Sequence, residues 1–297
     1  GGTSKTAQAA ARDGGAAKVL RVSRTARDGC IDYETLYGMH ADAQILVNTT
    51  PCGMFPSLDG AAADLDRLPD IRGVLDAVYN PLRSNLIMQA LDKKIPASGG
   101  LYMLVAQAVF AAEKFIDTKF SKEDIGRVYK EILSEKENVV LTGMPGCGKT
   151  TLGQRIAKTL EREFIDIDRE IISRENMPIT EIFSRGGEPL FREIEMRVIK
   201  EISAKSGVVI ATGGGAVLDP GNVRALKGNG RIYYLKRDLD LLSLDGRPLS
   251  KSRETLDKMF EARDPIYSNC ADAAINNDLS PVLTAQRIKD ELGSSDI

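Results

Sequence analysis

The chain has 297 residues, 42% of them hydrophobic and 28% charged, which is enough for two soluble domains with a core in each. A formal net charge of −2 gives no general pull toward nucleic acid or anionic membrane. No apolar run reaches the roughly 18–20 residues of a membrane span, and Cys30, Cys52, Cys147 and Cys270 lack CxxC or metal-ligand spacing, which suits reduced thiols in a cytoplasm better than a disulfide framework.

The chain opens on Gly1-Gly2-Thr3-Ser4 with no initiator Met and no basic leader before an apolar stretch, so it reads as N-terminally incomplete and without a secretory signal. Residues 3–12 suit a helix. Residues 18–22, 43–47 and 74–78 are strand candidates, the second ending at Asn48-Thr-Thr-Pro-Cys-Gly53 and the third before the turn pair Asn80-Pro81. Residues 88–91 suit part of a helix and 102–116 an amphipathic one. The charge-rich stretch 117–137 is expected to be a linker, with a helical segment at 129–133. Beyond it the pattern restarts, with strands at 139–141, 164–165, 208–211 and 232–235 and helices at 149–161, 189–206, 253–262 and 280–292. Strands alternating with helices predict an α/β chain of two doubly wound parallel-sheet domains, 1–116 and 138–297. His40 falls in a loop-like stretch and receives no role.

Gly143-Met-Pro-Gly-Cys-Gly148-Lys149-Thr150 is GxxxxGK[ST] directly after an apolar strand and before a helix. Glycines there let backbone N–H groups turn toward phosphate oxygens, and the helix N-terminus adds its dipole. Lys149 supplies a mobile charge to the β/γ-phosphates and Thr150 a hydroxyl for Mg²⁺. The motif specifies nucleotide binding and says nothing of the acceptor.

Next, Phe164-Ile-Asp166-Ile-Asp168 is expected to end a strand with both carboxylates on one side, one for Mg²⁺-bound water and one for a hydroxyl proton. A solvated role is the alternative. In Gly186-Gly187-Glu188-Pro-Leu-Phe191-Arg192-Glu193-Ile194-Glu195, Arg192 and Glu195 share a helix face, so the guanidinium could fork onto a substrate carboxylate or form a surface ion pair. Ala211-Thr-Gly213-Gly214-Gly215 signals close backbone approach after a buried strand. Leu244-Asp-Gly246-Arg247-Pro248-Leu249 reads as a lid whose Arg247 could close on the phosphates. Arg263, in Arg263-Asp-Pro-Ile-Tyr267, is expected at the end of the following helix as a second carboxylate partner.

In order, GxxGxGKT, F-x-D-x-D, GGExxFRxxE, TGGGA, GRPL and R-x-P-x-Y resemble shikimate kinase across residues 136–292. The resemblance implies a P-loop fold of the nucleoside-monophosphate-kinase type, with ATP and Mg²⁺ as cofactors and shikimate as the acceptor. It carries Gly143, Gly146, Cys147, Gly148, Lys149, Thr150 and Thr151 over as ATP contacts, and Thr150 and Asp166 as the Mg²⁺ side. Asp168, Arg192 and Arg263 would grip shikimate, with Gly214 and Gly215 closing the site. Asp168 would also be the base, and Lys149 and Arg247 would neutralise the transferring phosphoryl group. Where many relatives carry an arginine that stacks on adenine, this chain has Leu239-Asp240-Leu241-Leu242, and its lid is short. Two other readings remain. One is a related kinase of gluconate or a nucleoside monophosphate, disfavoured because Arg192 and Arg263 suit a carboxylate acceptor. The other is a non-catalytic nucleotide-binding module, disfavoured because Lys149, Asp166, Asp168, Arg192, Arg247 and Arg263 occur together.

The front half resembles the NADP-binding, C-terminal domain of shikimate dehydrogenase over residues 1–116. Gly1-Gly2-Thr-Ser-Lys-Thr-Ala7 looks like the tail of a dinucleotide fingerprint, and Ser23-Arg24-Thr25 after a strand favours a 2′-phosphate. Asn48-Thr-Thr-Pro-Cys-Gly53, Asp76-Ala-Val-Tyr79 and Gly100-Leu-Tyr-Met103-Leu-Val-Ala-Gln107 complete the likeness. It implies cofactor contacts from Ser23, Arg24 and Thr25, with Asn48, Thr49 and Met103 near the nicotinamide and Tyr79 and Gln107 toward substrate. That family's catalytic domain and first Rossmann strand precede the fingerprint, so the expectation is a bifunctional parent and no useful dehydrogenase activity here, with a front domain that folds poorly. No partner beyond the small molecule is implied, neither nucleic acid nor membrane, and the oligomeric state stays open.

Overall fold

The structure, a computed structural model, describes residues 1–27, 29–242, 253–277 and 280–292. It divides into two compact units between Tyr129 and Lys130. No helix among the described residues is long and apolar enough to cross a membrane.

The front unit begins with α1 (Gly2–Asp13) and α2 (Tyr33–Met39), the latter capped by Asp32, whose carboxylate accepts from the Thr35 amide at 2.8 Å. There follow β1 (Ile45–Asn48), β2 (Gly73–Asp76), α3 (Asn85–Asp92), β3 (Ala97–Ser98) and α4 (Leu101–Ile116). The three strands pair in parallel in the order β1-β2-β3, and Leu36, Leu65, Leu68, Val74, Leu86 and Ile87 form the core beside them. Residues 18–22, expected as a strand, are not one. Among the described residues a single parallel bridge, Val22 to Ile31, is their pairing, and an extended segment without a ladder is not a strand. Within the charge-rich stretch 117–137 the chain forms α5 (Lys122–Lys136), which crosses the division between the units.

The second unit runs β4 (Asn138–Thr142), α6 (Lys149–Leu160), β5 (Phe164–Asp166), α7 (Ile167–Glu175), α8 (Ile179–Ser203), β6 (Val209–Ala211), α9 (Pro220–Asn229), β7 (Gly230–Lys236), α10 (Arg253–Cys270), β8 (Ala273–Asn276) and α11 (Pro281–Glu291). Its five strands are parallel in the order β5-β6-β4-β7-β8. All five residues of β4 are buried, as its place in the middle of a sheet covered on both faces requires. Asn138 ties β4 to the start of β6, donating to the Lys205 carbonyl at 2.8 Å and accepting from the Val208 amide at 3.0 Å. The chain leaves β4 toward β5 and β6 on one side and returns to β7 and β8 on the other. The carboxyl end of β4 is therefore the switch point, where open α/β sheets hold their ligands.

Candidate active site

At that switch point β4 delivers the chain into Gly143–Gly148. Gly143, Gly146 and Gly148 have φ of 142°, 85° and 97°, backbone that a side chain disfavours, and this handedness turns the intervening amides inward. Gly148 caps α6, so the positive end of that helix opens on the loop. Lys149 is 9% exposed, and its ammonium donates to the carbonyls of Gly143 at 2.8 Å and Met144 at 3.0 Å. Cys147 is fully buried, its Sγ 3.9 Å from that ammonium, while Thr151 faces outward from the first turn of α6.

Thr150 Oγ1 donates to Asp166 Oδ2 at 2.7 Å, which sets a hydroxyl and a carboxylate oxygen side by side at the mouth of the loop. Hard oxygen donors of this kind suit Mg²⁺, which takes few protein ligands and completes its shell with phosphate oxygens and water. Among the described residues no group of three His, Cys, Asp or Glu could hold a metal by itself.

The two aspartates do not share a strand. Asp166 ends β5 and caps α7, accepting from the Arg169 amide at 3.3 Å, so Asp168 lies in the first helical turn. The helical backbone rather than the strand pleat then decides where Asp168 points. Its carboxylate comes against the triple glycine: a Cβ on Gly213 would meet Asp168 Oδ1 at 2.9 Å and Glu195 Oε1 at 3.0 Å.

Arg192 arrives at the same place from α8. That element is two helical segments that meet at a kink at Gly187 (φ 67°, ψ −164°), two residues ahead of Pro189, so the expected start at 189 marks its second segment. Arg192 Nη1 donates to Glu195 Oε2 at 2.6 Å, and Nη2 donates to Glu188 Oε1 at 2.9 Å. A Cβ on Gly215 would lie 2.4 Å from Arg192 Nη2. Glu195 is 1% exposed, and its Oε1 has no hydrogen-bond partner among the described residues. Burial pushes its carboxyl up, the adjacent guanidinium pulls it down, and Asp168 pushes it up again. The sequence pairs Glu195 with Arg192 by spacing, yet gives no sign that Glu195 is a buried member of the site.

From α10, Arg263 Nη1 donates to the Gly214 carbonyl at 3.2 Å, and the Tyr267 hydroxyl donates to the same oxygen. Burial pushes the Tyr267 phenol up to about 12, so it stays a donor. Arg263 does not end its helix as expected: α10 continues through Pro265 to Cys270, leaving Arg263 near its middle. Arg247 and the lid segment 244–249 lie outside the described residues. The structure thus brings Asp168, Arg192, Glu195, Arg263 and Tyr267 together around Gly213–Gly215. The ring of Pro145 ties this group to the phosphate cradle, since a Cβ on Gly214 would meet it at 2.9 Å.

In the front unit, Asn48 and Asp76 end neighbouring paired strands, and Asn48 Nδ2 donates to Asp76 Oδ1 at 2.8 Å. Asp76 also accepts from the Val78 amide at 2.9 Å and the Ser84 hydroxyl at 2.5 Å. Asn48 is therefore buried and engaged in holding strand ends together, while Tyr79 and Met103 are 41% and 46% exposed. Gly100 packs against β2's exit, where a Cβ would fall 2.2 Å from the Ala77 carbonyl, and this close approach starts α4 with Met103 and Gln107 on it. Ser23, Arg24 and Thr25 lie in a bend after Val22.

The shikimate kinase family model matches residues 145–293. A shikimate kinase of Caldicellulosiruptor bescii is 45% identical over 161 residues, 51% of this chain and 93% of that protein. Among solved structures, a shikimate kinase from Acinetobacter baumannii in complex with shikimate superposes with a TM-score of 0.52 at 32% identity, covering 57% of this chain and 99% of that one. Shikimate dehydrogenase 1 from Peptoclostridium difficile gives a TM-score of 0.40 at 28% identity, over 44% of this chain and 51% of that one. The matched segment holds the cradle from Pro145 onward, the triple glycine and both arginines that reach it, and with half of its length under the family model the chain belongs to the shikimate kinase family.

Proposed function

We propose that residues 138–297 form a kinase domain that transfers the γ-phosphoryl group of ATP to a hydroxyl of shikimate. The observation that carries this reading is the meeting of Asp168, Arg192 and Arg263 on the triple glycine beside the cradle. Two guanidiniums next to one carboxylate form a site for an acid that also carries hydroxyls, which a sugar or a nucleoside monophosphate does not match as well.

Arg192 and Arg263 bind and orient the acceptor carboxylate. Arg192 is held in place by Glu195 and Glu188, so little freedom is lost on binding. Asp168 takes the proton of the attacking hydroxyl as its oxygen bonds to the γ-phosphorus and the bond from that phosphorus to the β-phosphate oxygen breaks, releasing ADP. Lys149 and the inward amides of Gly143–Gly148 stabilise charge on the phosphoryl oxygens, and Arg247 is read from sequence as a second cation there. Thr150 and Asp166 would hold Mg²⁺, which when bound offsets charge on the β- and γ-phosphates. A coupled assay of ADP release should respond to shikimate and not to gluconate, quinate or AMP. Equal turnover with any of these three would remove shikimate as the acceptor.

For residues 1–116 we infer an NADP-binding domain, joined through 117–137 to the kinase domain. Ser23, Arg24 and Thr25 would receive the 2′-phosphate, and Asn48, Thr49 and Met103 would flank the nicotinamide, with Tyr79 and Gln107 toward its substrate. Fluorescence titration with NADPH should show saturable binding that NADH does not match; no enhancement with NADPH would end this reading. The four free cysteines support a cytoplasmic location.

A further inference from the structure

We propose that Arg237, the residue after β7, is a nucleotide-binding residue that contacts the α-phosphate where the nucleotide leaves the cradle. The proposal rests on the reading of Gly143–Gly148 as a nucleotide site and is independent of the acceptor. β7 runs against the cradle along its whole exit: a Cβ on Gly143 would fall 2.6 Å from the Leu235 carbonyl. Two residues on, the Arg237 side chain reaches the other lip, where Nη1 would lie 3.7 Å from a Cβ on Gly148. Lys149 occupies the Gly143–Met144 lip, from which it serves the β- and γ-phosphates. A cation on the Gly148 lip is therefore placed for the phosphate nearer the nucleoside.

The hydrogen-bond inventory points the same way. Arg237 Nε is buried and has no partner among the described residues, and its guanidinium makes no ion pair with them. Arg192 and Arg263 are both engaged by protein oxygens, so this arginine differs from the others around the cradle. Asn277, in contact with the same Gly148 position, donates from Nδ2 to the Cys147 carbonyl at 2.7 Å and so holds that lip in place; its buried Oδ1 is, among the described residues, an unpartnered acceptor that calls for a donor and not for an anion. An unsatisfied buried donor costs stability unless something arrives to accept from it, and an anion does so best. Beside these groups lies a cavity of about 420 Å³ lined by Lys236, Arg237, Asp238, Phe260, Asp264 and Asn276. It offers an aromatic ring, an amide, two cations and two carboxylates, of which Asp264 is engaged by the Tyr234 hydroxyl at 2.7 Å.

The test is calorimetric titration of the full chain with ADP, comparing wild type with Arg237→Met and Arg237→Lys. Arg237→Met should weaken ADP binding about tenfold or more, and Arg237→Lys should recover part of the loss. ADP affinity of Arg237→Met within twofold of wild type overturns the proposal and leaves the nucleotide reading intact. Wild type that binds no ADP overturns both. The wild-type protein supplies a check free of folding effects: the Arg237 Nε–Hε resonance should shift on adding ADP, and a resonance that stays in place at saturation overturns the contact.

Discussion

Asp168→Asn is expected to lower shikimate-dependent ADP release by about 10²–10⁴-fold, the range for loss of a positioned general base. The amide preserves size and can still accept a hydrogen bond, so what it removes is basicity. Asp168 is an acidic residue in the first turn of α7. Its neighbour Glu195 already carries a carboxyl pushed up by burial and by Asp168 itself. Neutralising Asp168 relieves that repulsion and gives up a favourable charge at the helix N-terminus, so the net change in stability should be small and the loss should fall on turnover. Single-turnover measurement of phosphoryl transfer, with ADP titration beside it, separates a missing base from a damaged cradle. Turnover within tenfold of wild type would take the base role from Asp168.

The cradle was legible because everything it needs is local: glycines at fixed offsets between an apolar strand and a helix, and β4 and α6 run within a residue of their expected bounds. Features that depend on competition between local signals were read less well. Alternation made Asp166 and Asp168 strand neighbours, but an aspartate before a helical run is also an N-cap, and capping won. A helix was expected to end at 262, yet Pro265 removes only one backbone donor and α10 runs on to Cys270. β8 escaped notice because of its four residues only Ile275 is buried, as suits an edge strand. Residues 18–22 had the composition of a strand but only one bridge to pair with, and pairing cannot be read from composition. The burial of Glu195 and the lack of a partner for Arg237 Nε among the described residues are tertiary facts with no local signature at all.

The triple glycine gives the second large effect, because space and not backbone handedness explains it. Gly215 has φ −108° and ψ −3°, a conformation open to alanine, and neither Gly213 nor Gly214 has a positive φ. What alanine at 215 lacks is room: its Cβ would stand 2.4 Å from Arg192 Nη2, 2.7 Å from Nη1 and 2.9 Å from Cζ. Those atoms are the far end of a flexible side chain, so the fold can yield by moving the guanidinium and should lose little stability. The same substitution at Gly214 would press on the ring of Pro145 in the cradle, and at Gly213 on Asp168 and Glu195, mixing several effects. Gly215→Ala displaces Arg192 alone, out of reach of Glu195 Oε2, which now holds it at 2.6 Å. A displacement of about 1 Å at a positioning group costs on the order of 10²-fold in catalytic efficiency. That loss is expected in kcat/KM for shikimate, with a much smaller change in kcat/KM for ATP at saturating shikimate and in the melting temperature. Unaltered kinetics toward shikimate would mean that Arg192 is a structural ion pair with Glu195 and Glu188, and that Arg263 alone meets the acceptor.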